Sequence, residues 1–345
     1  MTVTIKDIAR MANVSHTTVS RALKDSPEIS AETRHRIKEL AKRLNYTSNA
    51  LARGLVLKRS DSIGLIIPDI INPYYAHISK AVEGVASSQN FSLIICNTDR
   101  SPEKERQYLQ FLRAKQVDGI IMVSVSNDPE PLQDLLRDGI PLVLIDNLVP
   151  GVAADFITND NFAGATAAVE HLIRLGKRSL VHFAGPRDSF ASQERLRAYL
   201  EGMAAHGLSV APDWVIPTNA TFDGGEKAAR QLIHGHGGEL PDAVFAVNDS
   251  VAMGALKYFY RKGVRVPENL ALVGYDDIEM AAMLPVPLTT VRQRKYELGR
   301  VAAQMILDRI LAPDDAPQPP PKAITFQPRL VVRRSCGENR EDPKG

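Results

Sequence analysis

TIKDIARMANVSHTTVSRALK, residues 4–24, reads as two short helices joined by a tight turn. Thr4 is placed to cap the first helix, and Asp7 follows three residues on, a capping-box-like pair. Ile5, Ile8, Ala9 and Ala12 fall on one face at helical spacing. The turn is Asn13-Val14. Ser15 is a second N-cap, whose side-chain oxygen can accept from an unpaired N–H of the next helix. Val19, Ala22 and Leu23 form that helix's inward face, and small Ala9 and Ala12 allow close approach. His16, Thr17, Ser20 and Arg21 face outward, all able to hydrogen-bond with base edges or phosphates. The pattern is a helix-turn-helix with its second helix offered to DNA. A surface helical hairpin is the alternative, and the rest of the chain decides against it.

Working outward, DSPEIS (25–30) is a turn, and Ser30 caps a third helix over 31–44. Ile37, Leu40, Ala41 and Leu44 are its inward face, and Lys42-Arg43 suit its C-terminal end. Three short helices then close one small core. SNALARGLVL (48–57) contains helical residues but also Gly54, and so short a helix is marginal alone in water. It reads as a short helix or a passive tether. Up to Ser60 there are twelve Lys/Arg against five Asp/Glu, a net charge of +7; thirty against thirty-five remain, a net of −5. A basic head on a slightly acidic body implies a polyanion-binding module joined to something else.

From Ser62 short apolar runs alternate with helical stretches. IGLII (63–67), SLIIC (92–96), GIIMV (119–123) and LVLI (142–145) read as buried parallel strands, with helices at 74–89, 102–115 and 131–137. A second series follows, with strands at 179–184, 215–216, 243–247 and 270–274 and helices at 162–175, 190–206, 224–234 and 249–262. Two βα series mean two doubly wound halves, and the crevice between them is the default ligand site. Strand ends aim polar groups there: Asn248 and Asp249 in VNDS, Asp276 and Asp277 in GYDD, and Arg195 and Arg197 at a helix start. Carboxylate, amide and guanidinium groups suit polyol hydroxyls, since each makes paired, directional hydrogen bonds. Tyr74, Tyr75, Phe190 and Phe222 are candidates to cover a sugar or base face. Asp249 reads rather as a helix cap, and Asp277 as a solvated neighbour of Asp276.

The 345 residues suffice for two or three cores. Two cysteines, Cys96 in an apolar run and Cys336 in the tail, make neither a disulfide framework nor a metal site. There is no signal-peptide pattern and no apolar run of membrane-spanning length, so a cytoplasmic, nucleoid-associated protein is expected. No G-x-G-x-x-G follows the first strand, and there is no P-loop, no G-x-S-x-G and no metal-ligand cluster. No enzyme and no cofactor are expected.

The 4–23 stretch resembles the N-terminal headpiece of the LacI/GalR family of bacterial transcription regulators. The similarity runs on through LNYTSNALARGL (44–55) to about Arg334. It implies an all-α helix-turn-helix headpiece (1–47) and a hinge (48–60). An α/β periplasmic-binding-protein-like core (61–335) of two doubly wound parallel-sheet subdomains would follow. The chain would cross between these three times: about 61–160 and 292–325 in one, 161–291 and 326–335 in the other, then a disordered tail (336–345). The hinge would order on DNA and pair with its dimer mate in the minor groove, Leu55 wedging between base pairs beside Ala52 and Arg53. His16, Thr17 and Arg21 occupy base-reading positions, and Ser15, Thr18 and Ser20 phosphate-contacting ones.

In the crevice, Arg195 and Asp276 match the family's strongest effector contacts, and Asn248 a frequent third. Tyr74 and Tyr75 occupy its N-P-[FY]-[FY] position. The N-D-N run at 159–161 matches another, its register open by one residue, giving Asn159 and Asp160. Ser189 and Ala191 stand where purine-binding members have an Arg and a Thr, and Ala220 where those have a stacking aromatic. These departures point to a sugar or sugar derivative. The resemblance thus implies a homodimeric repressor of a palindromic double-stranded DNA operator, controlled by a small molecule and not membrane-bound. A soluble sugar-binding protein or a purine-responsive regulator is the alternative.

Overall fold

The computed structural model describes residues 3–23, 25–44, 46, 59–235, 239–313, 317 and 319–338. The chain divides into two units, Met1–Ser60 and Asp61–Gly345. Residues 48–58 of the expected hinge, with Ala52, Arg53 and Leu55, lie outside the described residues.

In the first unit α1 (Ile5–Ala12), α2 (His16–Leu23) and α3 (Ala31–Arg43) enclose Ile8, Ala9, Ala12, Val19, Ala22, Ile37 and Ala41. The capping box forms: Thr4 N donates to Asp7 Oδ2 (3.0 Å) and Asp7 N to Thr4 Oγ1 (3.4 Å). Asn13 ends α1 in the left-handed region (φ 53°), which a short amide side chain tolerates. Thr18 N donates to Ser15 Oγ (3.0 Å), capping α2, and Arg36 Nη2 donates to the Ala12 carbonyl (3.1 Å), tying α3 to the end of α1.

The second unit opens with β1 (Ser62–Ile67), α4 (Pro73–Ser88), β2 (Ser92–Asn97) and α5 (Pro102–Ala114). β3 (Gly119–Met122), α6 (Glu130–Arg137), β4 (Leu142–Ile145) and β5 (Asp155–Asn159) follow. Asn72 and Ser101 cap α4 and α5, each with proline at the first helical position, where a missing N–H costs nothing. The second half runs α7 (Asn161–Arg174), β6 (Leu180–Ala184), α8 (Phe190–Ala205), β7 (Val215–Pro217), α9 (Phe222–Gly235), β8 (Ala243–Ala246) and α10 (Asp249–Arg261). It continues through β9 (Ala271–Asp276), α11 (Glu279–Met283) and β10 (Thr289–Arg292). Then come α12 (Lys295–Ile310), β11 (Ala323–Phe326) and β12 (Arg329–Val331). The sheets have matching orders, β11-β5-β4-β3-β1-β2 and β12-β10-β9-β8-β6-β7. All pairings are parallel except β10–β12. β1, β3, β4, β6 and β8 are almost wholly buried, as parallel strands with helices on both faces must be.

The chain passes between halves after β5, after β10 and after β11, always from strands at one edge of a sheet. β2 and β7 form the opposite edge. α12 belongs with the first half: Arg309 donates to both carboxylate oxygens of buried Asp155 (3.0 and 2.7 Å). Beside the assigned runs, β5, β10, β11, β12, α11 and α12 are elements that apolar periodicity did not reveal.

The tail departs from expectation. Cys336, expected in the disordered tail, is fully buried, as is Ser335 at the end of the core. Ser335 Oγ donates to the Leu272 carbonyl (2.6 Å) and accepts from Thr289 N (2.8 Å), so the chain end splices into the second sheet. Cys336 Sγ lies 3.3 Å from His171 Nε2. Two small side chains in a polar run carry no periodic signal, which is why the sequence conceals them. Residues 339–345 lie outside the described ones. Cys96 is a buried core residue.

Helices α9 and α10 touch backbone to backbone. A Cβ at Gly254 would stand 1.9 Å from the Phe222 carbonyl oxygen. Gly254→Ala should therefore destabilise the second unit by about 1–3 kcal/mol or more. Gly84, exposed in α4 with nothing near its Cβ position, is the control: Gly84→Ala should stabilise by about 0.5–1 kcal/mol. Thermal unfolding of both variants checks the opposite signs.

Candidate functional site

On the headpiece, α2 presents His16, Thr17 and Arg21 exposed, with Thr18 and Ser20 half-buried. Ser15 Oγ lies 2.6 Å from Thr17 Oγ1 and 2.8 Å from Thr18 Oγ1, a cluster that fixes the start of the helix. Arg21 pairs with Glu28 (2.7 Å), both mostly exposed, and such a pair is weak enough to exchange for another anion. The outward face therefore carries hydroxyls, an imidazole and a guanidinium over a rigid apolar core.

In the second unit a cavity of about 680 Å³ lies between the two halves, lined by loops at the C-terminal ends of the strands of both sheets. Its deep part is a connected polar network. Arg195, from α8, is buried; Nε and Nη2 donate to Asn161 Oδ1 (2.9 and 2.8 Å), and Nη1 to the Val247 carbonyl (2.6 Å). Its guanidinium stacks 3.7 Å over the Tyr275 ring and lies 3.9 Å from Asp276 Oδ1. Gln293 Nε2 donates to the same oxygen (2.6 Å). Tyr74 OH donates to Asp146 Oδ2 (2.5 Å) and lies 3.3 Å from Gln293 Oε1. Thr158 Oγ1 donates to Asp146 Oδ1 (3.2 Å). Burial lifts the Asp276 carboxyl to about 6, with Arg195 and Gln293 holding it back. Burial likewise raises Asp146, against the bond from Tyr74. Asp276 stands at φ 115°, a conformation a residue with a side chain adopts only under constraint, and Asp146 at φ 57°, in the left-handed region that a short acid tolerates.

Of the residues expected from the sequence, Tyr74, Tyr75, Arg195, Asn248 and Asp276 line this cavity. Phe190 and Phe222 are not among the lining residues: Phe190 packs edge-on against Phe156, and the Phe222 ring lies under Lys257 Nζ. Asn159 and Asp160 are also outside the lining. Asn159 Oδ1 accepts from Arg294 N (2.9 Å), and Asp160 caps α7 by accepting from Ala163 N (2.9 Å). The member of the N-D-N run that reaches the network is Asn161, the partner of Arg195.

Two further expectations are corrected. Asn248, not Asp249, caps α10, accepting from Val251 N (2.8 Å). Asp249 is instead fully buried, accepting from Thr290 Oγ1 (2.6 Å) and Ile278 N (2.9 Å). Asp277 is not solvated. Burial pushes its carboxyl up, but bonds from Arg292 and Arg333 outweigh this and hold it below the ordinary range. Arg197 is a surface charge paired with Glu194 and Glu201. Sequence reading missed Asp146 and Asn147, although they follow β4 directly, as Asn248 and Asp249 follow β8 after one residue; the same strand-end rule finds them. Nothing in the sequence marks Gln293.

The family model described as bacterial regulatory proteins, lacI family, matches residues 4–49, and the periplasmic binding protein-like domain matches 169–336. The HTH-type transcriptional repressor PurR of Haemophilus influenzae (strain PittEE) is 34% identical over 334 residues, 96% of this chain and 98% of that protein. The ribose operon repressor of Halalkalibacterium halodurans is 35% identical over 343 residues, covering 98% and 99%. The chain belongs to the lacI family. A solved lac repressor dimer, bound to operator and the anti-inducer ONPF, superposes with a TM-score of 0.84 at 25% identity over 97% of this chain and 99% of that one. As a lacI-family member the chain is a DNA-binding transcriptional regulator with a helix-turn-helix, and the periplasmic binding protein-like match takes in the second half's share of the cleft lining. Among the described residues no helix is long and apolar enough to cross a membrane.

One wall of this regulator's cleft rests on a buried acid. Glu105 Oε2 accepts from Val125 N (2.6 Å) and Oε1 from Ser124 Oγ (2.9 Å), and both donors belong to lining residues. Burial pushes its carboxyl from 4.5 to about 7 despite these bonds. Between those values the unfolded chain releases the proton while the folded protein keeps it, so stability falls as pH rises. The loss is complete above about pH 7 and amounts to roughly 3 kcal/mol. Glu105→Gln should remove this fall, since its amide can donate to Ser124 Oγ while its carbonyl accepts from Val125 N. Unfolding midpoints between pH 4.5 and 8 measure the effect; an unchanged slope would refute it.

Proposed function

We propose that this regulator is a repressor that binds a two-fold-symmetric operator as a homodimer, and that a sugar or sugar derivative in the cleft controls its affinity. His16, Thr17 and Arg21 read bases, Arg21 facing guanine, while Ser15, Thr18 and Ser20 hold phosphates. Ala52, Arg53 and Leu55 enter the minor groove. Repression is supported by the purine and ribose operon repressors to which the chain is similar. Dimerisation is supported by the lac repressor dimer and by exposed apolar side chains on both halves. Ile71 is 87% and Met283 79% exposed, near the His77–Glu279 contact (2.8 Å) that brings α4 beside α11.

The observation that carries the effector class is the paired carboxylates Asp146 and Asp276 with Arg195 at the deep end of the cleft. Such groups accept from and donate to the vicinal hydroxyls of a polyol. Tyr74, Tyr75, Arg195, Asn248 and Asp276 form its contacts, joined by Asp146. Among the described residues the second half supplies no aromatic to the lining, and Ser189, Ala191 and Ala220 stand there instead. A purine would find no ring to stack against on that side, so the sugar reading is favoured over the one the purine repressor suggests.

Two variants test the two ends. Arg21→Ala should weaken operator binding roughly 10–100-fold and relax the preference for one base pair. Equal weakening on every sequence would show that Arg21 holds only phosphate. Asp276→Asn should raise the sugar concentration needed for a half-maximal change in operator affinity by about tenfold or more. An unaltered dose response would remove Asp276 from the site. Anisotropy titrations of labelled operator, with and without sugar, read both.

A further inference from the structure

The two halves follow the same strand order, so equivalent loops face each other across the cleft. The three chain crossings gather at the β5/β11 and β10/β12 edges, and the Asp276–Gln293–Tyr74–Asp146 network sits beside them. β2 and β7 lie at the far edge of each sheet, which makes the loops after them the mouth of the cleft. Each places one cation in the lining: Arg100 after β2 and Lys227 on α9 after β7. Neither is used up by the protein. Arg100 has its nearest carboxylate, Asp69, only at 3.9 Å, and its buried Nε has no hydrogen-bond partner. Asp99 and Arg100 are both held at positive φ (50° and 61°), a conformation that costs energy and aims Arg100 at the lining. Lys227 is exposed and makes no ion pair among the described residues. The acids deep in the cleft are, by contrast, engaged: Asp276 by Gln293 and Arg195, Asp146 by Tyr74 and Thr158. One lining acid, the exposed Asp188 after β6, stands against the two cations.

From this arrangement we infer that the effector is an anion-bearing polyol, a sugar phosphate or sugar acid. Its hydroxyls lie against Asp276, Arg195 and Asp146, and its anionic group lies at the mouth between Arg100 and Lys227. A guanidinium from one half and an ammonium from the other bind the same anion, so the anion itself draws the halves together. The inference rests on the sugar reading above and goes further, naming the charge and where it sits.

Matched probes separate the two. Glucose, glucose 6-phosphate and gluconate form one set, ribose and ribose 5-phosphate a second, fructose and fructose 6-phosphate a third, with inorganic phosphate as control. Each is titrated into the full-length protein by calorimetry, with thermal shift as a second readout. In at least one set the anionic member should bind about tenfold or more tighter than its neutral partner. Arg100→Gln and Lys227→Gln should each cut that preference by about fivefold or more, and added salt should erode it. The phosphate and carboxylate arms of the glucose set then identify the anion. A neutral sugar binding as well as its anionic partners overturns the inference and leaves the sugar reading standing. Inorganic phosphate binding as tightly as any sugar phosphate also overturns it, by showing an anion site without a polyol. Binding of no sugar or sugar derivative in any set overturns the sugar reading itself.

Discussion

The structure of the cleft depends on one buried cation finding a protein partner for each of its three nitrogens. Arg195 is almost without solvent, and a guanidinium in that position is tolerable only if most of its donors and its charge are met. Asn161 takes two of them, the Val247 carbonyl another, Tyr275 lies beneath the plane, and Asp276 supplies the opposite charge. Each of those groups is fixed by its own element: Asn161 opens α7, Val247 follows β8, and Asp276 ends β9. Meeting the charge therefore assembles three strand ends into one surface before any ligand arrives. Preorganisation of this kind reduces the ordering that binding must impose.

Gln293 extends this surface into the other half. It follows β10 on the stretch that leads to α12, and its amide bonds Asp276 on one side while facing Tyr74 on the other. Lys295, two residues further, donates to the carbonyls of Asp276 and Asp277 (3.3 and 2.6 Å). A polar ligand in the cleft thus touches groups wired to a segment that joins the halves. All three joining segments leave from one edge, which favours a hinge opening at the opposite edge over shear. Differential contact with open and closed forms is what any effector must supply to shift that equilibrium.

Much of this was legible in the sequence, and the reasons differ by element. The headpiece reads fully because capping residues and helical spacing agree: Thr4 with Asp7, Ser15 and Ser30 each cap where expected. The buried parallel strands announce themselves as apolar runs. β5 (DFITN) does not, since its Asp155 is a buried partner of Arg309 and only the fold explains the charge. α12 mixes charged and apolar residues because it packs on the first half while carrying residues that bind the chain crossing. Strand-end reasoning located Arg195, Asn248 and Asp276, but it gave weight to aromatic residues by type. Phe190 and Phe222 begin helices near the cleft and turn to other packing. Asp277 and Asp249 were judged by neighbourhood in sequence, whereas burial and partners such as Arg333, far along the chain, set their state.

The matching strand orders carry a consequence of their own. Counting strands within each half, Asp146 follows the fourth of the first and Asp276 ends the fourth of the second. Both adopt positive φ. Arg100 and Lys227 likewise follow the second strand of each half. The cleft is thus lined by corresponding strand ends of two halves that share one strand order. Two of its couples, Asp146 with Asp276 and Arg100 with Lys227, take one member from each half. A repertoire built this way can drift one partner at a time while the other keeps its hold, so a duplicated scaffold can change what it senses without first losing the ability to sense.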